Sequence, residues 1–355
     1  MLARIAVASD ALDVGDTRTV VANQIHDALL HEVRAHGRLV FSSIAERNNL
    51  LRAVKTDVRL PQTARSRWIE MLAYLQQRQR ISVMDDDGCP DLASVRTLEE
   101  LRKKCGGRVQ VAVVSDDASA GLGISESTGL LDDRQTPLEV ATAVAATQSP
   151  TLVTHRKCAE RGHSEMGSSR EQFWNEVLRP MAEGARSATI LDGYLLGSLW
   201  DMENCEPWTR GWRTEQVVWL LRHLDSVMAP GGEVRLICNQ RSRVVFGADK
   251  TADIVYGEWD PPQFGRLSMV VLSLSESLRR GERFPHDRHI RFNYGVALQM
   301  PAGFDRLRED TIRDADGMSW QYRWEHQAVL ALQSVESRAL ALSGMVSETV
   351  LNRGD

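Results

Sequence analysis

The chain has 355 residues, of which 43% are hydrophobic and 26% charged, and it carries a formal net charge of −5. That length exceeds one ordinary core and fits two domains, and the balance is that of a folded chain rather than a disordered one. The mild negative charge argues against indiscriminate nucleic-acid binding, so contact with a polyanion must come from a local basic patch.

Cys89, Cys105, Cys158, Cys205 and Cys238 are far apart with no CxxC pair, which excludes zinc-ribbon and thioredoxin-like readings. The odd cysteine count, and acidic residues too early in MLARIAVASDALDV for a secretory leader, point to a reducing, cytoplasmic compartment. No window reaches the roughly 18 to 20 apolar residues of a membrane span, so no transmembrane segment is expected.

Arg4–Ala8 reads as a short buried strand ended by Ser9-Asp10. Thr19 to His36 has helical spacing through Val21, Ile25, Leu29 and Val33, with Gly37 as its C-cap. His26, His31 and His36 lack zinc spacing and read as solvated positions of that helix. Arg38–Ser42 is a second strand, followed by a helix over Ile44–Val54 and another over Ala64–Gln79, which aligns Trp68, Met71, Leu72 and Leu75. Asp85-Asp86-Asp87-Gly88-Cys89-Pro90 is a turn without the spacing of a calcium loop. Thr97–Lys104 is helical, and Val109–Ser115 is the strongest strand of this half. Alternating strands and helices imply an α/β domain with a mostly parallel sheet over residues 1–153.

The polar stretch 154–169, containing HRKCAERGHSEMGSS, reads as a linker. A second α/β domain follows over residues 170–323. Its elements are a helix over Phe173–Ala185, a strand in ATILDGYLLG, an apolar helix over Glu215–Met228, and strands at Val234–Cys238, Met269–Leu274 and His289–Phe292. A last helix, from Trp324 to Val350, offers Val329, Leu332, Val335, Leu340 and Leu342 for burial against its own domain or a second subunit. Trp208, Trp212 and Trp219 suit either core packing or base stacking. The absence of a Walker A loop, a GxGxxG fingerprint and a GxSxG elbow disfavours nucleotide and serine hydrolysis.

The order of these elements, with Asp192 and Tyr194 in one strand corner, His286-Asp287-Arg288 leading into a later strand, and Asn293 and Gly295 beyond it, resembles the phospholipase-D-like domain at the C-terminus of MIT-domain, ESCRT-associated proteins. The resemblance covers about residues 165–310, and no MIT-like hairpin accompanies it. The wider superfamily uses His-x-Lys-(x)4-Asp, with a nucleophilic histidine and a lysine on the phosphate oxygens. The register here is His286-x-Arg288-(x)4-Asn293. Arginine can grip phosphate bidentately, but asparagine supplies no charge to orient an imidazole. With a single copy of the motif, catalysis by His286, Arg288 and Asn293 implies a homodimer that pairs two imidazoles. The other reading is a phosphate-binding or structural remnant. Arg279, Arg280, Arg283, His289 and Arg291 are the candidate phosphate-binding neighbours, or simply part of a solvated face.

In the first half, Asp10 ends the first strand, Glu46 sits early in the helix after the second, and Asp117 ends the strongest strand in VAVVSDD, with Ser115 two positions before. Strand ends of a parallel sheet converge on one edge, so these carboxylates are candidate ligands for Mg²⁺ or Mn²⁺, which favour oxygen donors. The pattern resembles PIN-like nucleases over about residues 4–149, and the resemblance implies metal-dependent phosphodiester cleavage. Asp13, Asp16, Asp116 and Asp133 compete for the same role, and loop capping is the plain alternative. The expectation is a nucleic-acid-processing, defence-associated protein acting on DNA or RNA, or on another protein of its system. A non-enzymatic module docking on a partner protein or an anionic membrane is the rival.

Overall fold

The computed structural model describes residues 1–15, 18–84, 91–133, 138–196, 215–239, 247–276 and 278–354. Asp16, the turn at Asp85–Asp87, Cys89, Cys205, Trp208 and Trp212 lie outside them. The chain divides into two units, Met1–Lys157 and Cys158–Asp355, both mixed α/β.

In the first unit, β1 (Ala3–Val7) leads through α1 (Thr19–His36) into β2 (Gly37–Phe41). Then come α2 (Ile44–Thr56), α3 (Gln62–Gln77), β3 (Ile81–Val83), α4 (Leu98–Cys105), β4 (Val111–Val114), α5 (Asp116–Leu122), β5 (Leu130–Asp133), β6 (Leu138–Thr142) and α6 (Pro150–Arg161). The sheet order is β3-β2-β1-β4-β6-β5, parallel except for β5 against β6. All four side chains of β4 are buried, the uninterrupted apolar pattern of a strand covered on both faces. The core runs from Ile5, Leu39 and Val113 out to Leu29 and Val33 of α1 and Trp68 and Leu75 of α3. Strand order reverses between β1 and β4, which opens a crevice at the carboxyl ends of those two strands.

Local chemistry explains the helix starts. The Ser43 hydroxyl accepts the Glu46 N–H at 3.1 Å, and Thr97 and Glu100 form a reciprocal capping box. Gly37 is the C-cap of α1, as expected, and is extended rather than left-handed: at φ −117° it already opens β2. Its role is close approach, because a Cβ there would stand 2.8 Å from the Val33 backbone. His26 and His36 are buried rather than solvated. They fall on the stripe of Ala22, Leu29 and Val33 that the 3.6-residue period turns inward, while His31 is exposed. The Trp68 indole N–H donates to His26 Nδ1 at 3.2 Å.

The stretch expected as a linker is largely ordered structure, since α6 runs through residues 150–161. The second unit continues with β7 (His163–Ser164), α7 (Arg170–Phe173), one π-helical turn at Trp174–Leu178, α8 (Arg179–Ala182) and β8 (Ser187–Leu191). Further on are α9 (Glu215–Val227), β9 (Gly232–Asn239), α10 (Ala248–Trp259), β10 (Leu267–Ser275), β11 (His289–Phe292), β12 (Val296–Gln299), β13 (Met318–Ser319), β14 (Gln321–Arg323), α11 (His326–Leu340) and β15 (Met345–Asn352). Its main sheet has the order β14-β12-β11-β8-β9-β10-β15, with β8, β9 and β10 parallel and the other pairings antiparallel.

The final helix is therefore shorter than expected. Residues read as its last turns form β15 on the edge of β10, after the Ser343-Gly344 break. The side chains of α11 pack on their own sheet, with Val335 and Ala339 against Leu191, Ile237 and Phe284. Ile190 and Leu236, which alternate with those strand residues, are buried too, so both faces of the sheet are covered. Trp219 is buried edge-on to Trp174, and its N–H donates to Glu171 Oε1 at 2.6 Å. Among the described residues no helix is long and apolar enough to cross a membrane.

Candidate functional site

In the first unit the crevice between β1 and β4 gathers some of the expected carboxylates. Asp10 follows β1, and its Oδ2 accepts the Ser115 hydroxyl at 2.8 Å; Ser115 in turn caps α5, whose first residues are Asp116 and Asp117. Asp10 Oδ1 is buried without a hydrogen-bond partner. Partial burial, then the nearby Asp117 and Asp13, raise the Asp116 carboxyl above its ordinary value. Arg59 answers this charge by pairing with Asp13 and Asp57. Asp133 is remote from the group: it pairs with Leu138 at the start of β6, on the opposite edge of the sheet.

Glu46 also starts from the correct edge, but its carboxylate is committed elsewhere. Oε2 accepts the Ser42 N–H at 2.6 Å and the Ser42 hydroxyl at 2.8 Å. Oε1 accepts the Leu92 N–H at 2.8 Å and faces the Lys104 ammonium at 3.0 Å. Two carboxylate oxygens hold about four acceptor sites, so none is left for a cation. Among the described residues no three His, Cys, Asp or Glu side chains converge as a metal centre would require. The expected set of Asp10, Glu46 and Asp117 thus does not fit a shared Mg²⁺ or Mn²⁺.

In the second unit the focus is the carboxyl end of β8. Because β11 runs antiparallel to β8, pairing His289 with Leu191, the residues before β11 arrive beside Asp192. Asp192 is fully buried and accepts the N–H groups of Tyr194 at 2.8 Å and Phe304 at 2.9 Å. Burial pushes its carboxyl above the usual range, and these N–H groups and Arg288 offset that only in part. Arg288 lies across the corner. Its guanidinium carbon is 4.5 Å from the centre of the Tyr194 ring, Nη1 donates to the Pro301 carbonyl at 3.2 Å, and Nε is 3.7 Å from Asp192 Oδ1. That last separation is an ion pair but not a hydrogen bond, so the buried Nε–H remains unspent. Gly303, at φ +86°, lets the loop close over the guanidinium: a Cβ there would sit 2.8 Å from Arg288 Nη1.

The other motif residues separate. His286 is exposed near this corner, and the Asp287 carboxylate accepts from Gln299 at 3.4 Å. Asn293 lies past the far end of β11, about 16 Å from Arg288 at the rise of an extended strand. There its Oδ1 accepts the N–H groups of Arg186 and Ser187 at 2.9 and 3.3 Å. Asn293 is thus a backbone cap at the start of β8, not a partner of His286.

The basic neighbours also divide. Arg279, Arg280 and Arg283 are exposed in the loop between β10 and β11. His289 and Arg291 alternate onto the face beneath α11 and share one carboxylate, Glu336. His289 Nε2 is 2.9 Å from Oε1, and Arg291 donates to both oxygens at 2.8 and 2.6 Å. Burial acts to raise the Glu336 carboxyl, but hydrogen bonds from Arg291 and His289 outweigh it and hold it below its ordinary value.

Sequence reasoning missed Glu336, Lys104, Pro301 and Gly303, because each acts across a long sequence separation with no periodic signal. The Arg288 corner can hold an oxyanion. With one imidazole it cannot both attack a phosphorus centre and protonate the leaving group. No protein-family model matches the chain, and no curated protein matches it.

Proposed function

We propose that the second unit binds phosphate esters, with nucleic-acid backbone as its ligand, and that it does so without hydrolysing them by itself. One observation carries this reading: Arg288 is fixed by Tyr194, Pro301 and the buried Asp192, yet keeps a buried Nε–H without an acceptor. A guanidinium held in advance loses little freedom on gripping an oxyanion. Arg279, Arg280, Arg283 and His286 would supply the surrounding positive surface, and counterion release would make the affinity salt-dependent.

The test is fluorescence anisotropy with labelled single-stranded DNA and RNA 20-mers across a salt series. Arg288→Ala should weaken binding at least tenfold, and Arg288→Lys should fail to restore it fully because the planar fork is lost. Changing Arg279, Arg280 and Arg283 together to Ala should flatten the log–log salt slope by about two to three units. Wild-type affinity in Arg288→Ala, with an unchanged circular dichroism spectrum, would overturn the reading. Binding to anionic vesicles but not to oligonucleotides would favour the membrane-docking alternative.

A second reading, metal-dependent cleavage by the first unit, is supported by Asp10 and Ser115 meeting in the crevice where the strand order reverses. It has to proceed without Glu46. Cleavage lost in Asp10→Asn and retained in Glu46→Gln would support it.

A further inference from the structure

Helices α2 and α3 pack on each other, and α2 packs on β2, but the fit is incomplete. A cavity of about 300 Å³ remains between them. Its floor is Phe41 and Ile81 from the sheet, and its walls include Leu50 and Val54 of α2 and Leu72 of α3. The slot opens to solvent, since its lining residues Lys55, Ile69, Ala73 and Gln76 are exposed, and its apolar walls forgo the dispersion contacts of a close-packed interior. The volume is at the lower end of the range for small-molecule pockets.

The polar part of the lining has one sign. Arg47 and Lys55 stand two helical turns apart along α2, Gln76 is neutral, and no acidic side chain among the described residues contributes. Arg47 is the notable one. Its Nε is buried with no hydrogen-bond partner, and its guanidinium reaches only the Asn48 side chain, at 3.5 Å. A part-buried guanidinium whose buried Nε–H has no acceptor, at the side of an apolar slot, is half of a binding site.

We infer that this cavity binds a small amphipathic anion, with an apolar chain or ring between α2 and α3 and a carboxylate or phosphate monoester head on Arg47. The charge pattern excludes an amphipathic cation, and the apolar floor disfavours a ligand polar throughout. Ala73 is an exposed lining residue of α3, so a bulky side chain there can close the slot without disturbing the core.

Isothermal titration of the full chain with decanoate, decyl phosphate, decanol and decyltrimethylammonium tests the assignment. Decanoate or decyl phosphate should bind saturably at one site, and whichever binds tighter identifies the head group. Decanol should bind at least tenfold more weakly, and the cation not at all. Arg47→Gln should cost at least tenfold in affinity for the anion while leaving oligonucleotide binding unchanged. Ala73→Trp should abolish anion binding with no change in circular dichroism. The proposal fails if neither anion gives a one-site isotherm, if the cation binds as well as the anions, or if Ala73→Trp binds like the wild type.

Discussion

Glu46 shows how one side chain can look like a ligand and serve as a strut. Lys104 beside it is 3% exposed and Glu46 itself 5%, so each charge relies on the other in a site with little water. Glu46→Gln keeps the shape but leaves the ammonium without its counter-charge. We expect a loss on the order of 3 kcal/mol, read as a lower urea midpoint at unchanged slope. The double variant Glu46→Leu, Lys104→Met should not recover that loss, because the buried Ser42 and Leu92 N–H groups would then have no acceptor. A Glu46→Gln protein as stable as wild type would instead mean that the carboxylate is not needed where it sits. The placement of Glu46 early in a helix was legible from the chain. Its commitment was not, because Lys104 and Leu92 come from elements far along the sequence whose approach depends on the finished sheet.

At the scale of elements, β11 and α11 are joined by the Glu336 carboxylate and its two cationic neighbours. Glu336→Gln should destabilise the second unit by about 3 kcal/mol, because His289 is fully buried and Arg291 would lose a bidentate partner. Acid should have a related effect. The Glu336 carboxyl lies below its ordinary value in the folded chain, so its contribution is present above the unfolded value of 4.5 and is lost as pH falls through the folded one. A urea midpoint that drops in Glu336→Gln at pH 7 but matches wild type well below pH 4 would show both. Elements with a strong period, such as α1, α3 and α9, were readable in place and extent. Those that were missed lack one. The eight residues of β15 follow a helix and continue its apolar spacing, and only pairing with β10 makes them a strand. Helix α6 is polar over most of its visible surface, so its sequence resembles a connection.

For the whole molecule the clearest expectation concerns pH. Burial lowers His36 and His155 to about 3 and also depresses His26, so all three are carried neutral in the folded chain. Unfolding exposes them to water, where they protonate near their ordinary 6.5. The folded state therefore keeps its full advantage above that value and loses it as pH falls from 6.5 toward 3, by about 1.4 kcal/mol per pH unit for His36 and the same for His155. Thermal melts between pH 7 and pH 4.5 should show a steep decline, and His155→Phe should make the slope shallower by one proton. A melting temperature flat over this range would exclude neutral burial of these rings.

The passage from α1 to β2 has a consequence for how this chain can change over generations. His36 ends the helix and Gly37 begins the strand, with no residue between them to absorb a change in length. One added residue would either turn the helix by about 100° or carry every later strand side chain to the opposite face of the sheet. Either shift takes Val33 or Leu39 out of the core they share. Descendants of this sequence can trade side chains at the junction but not lengthen or shorten it. Among diverging copies, the spacing from Leu29 to Leu39 should be the most faithfully kept interval of the first unit.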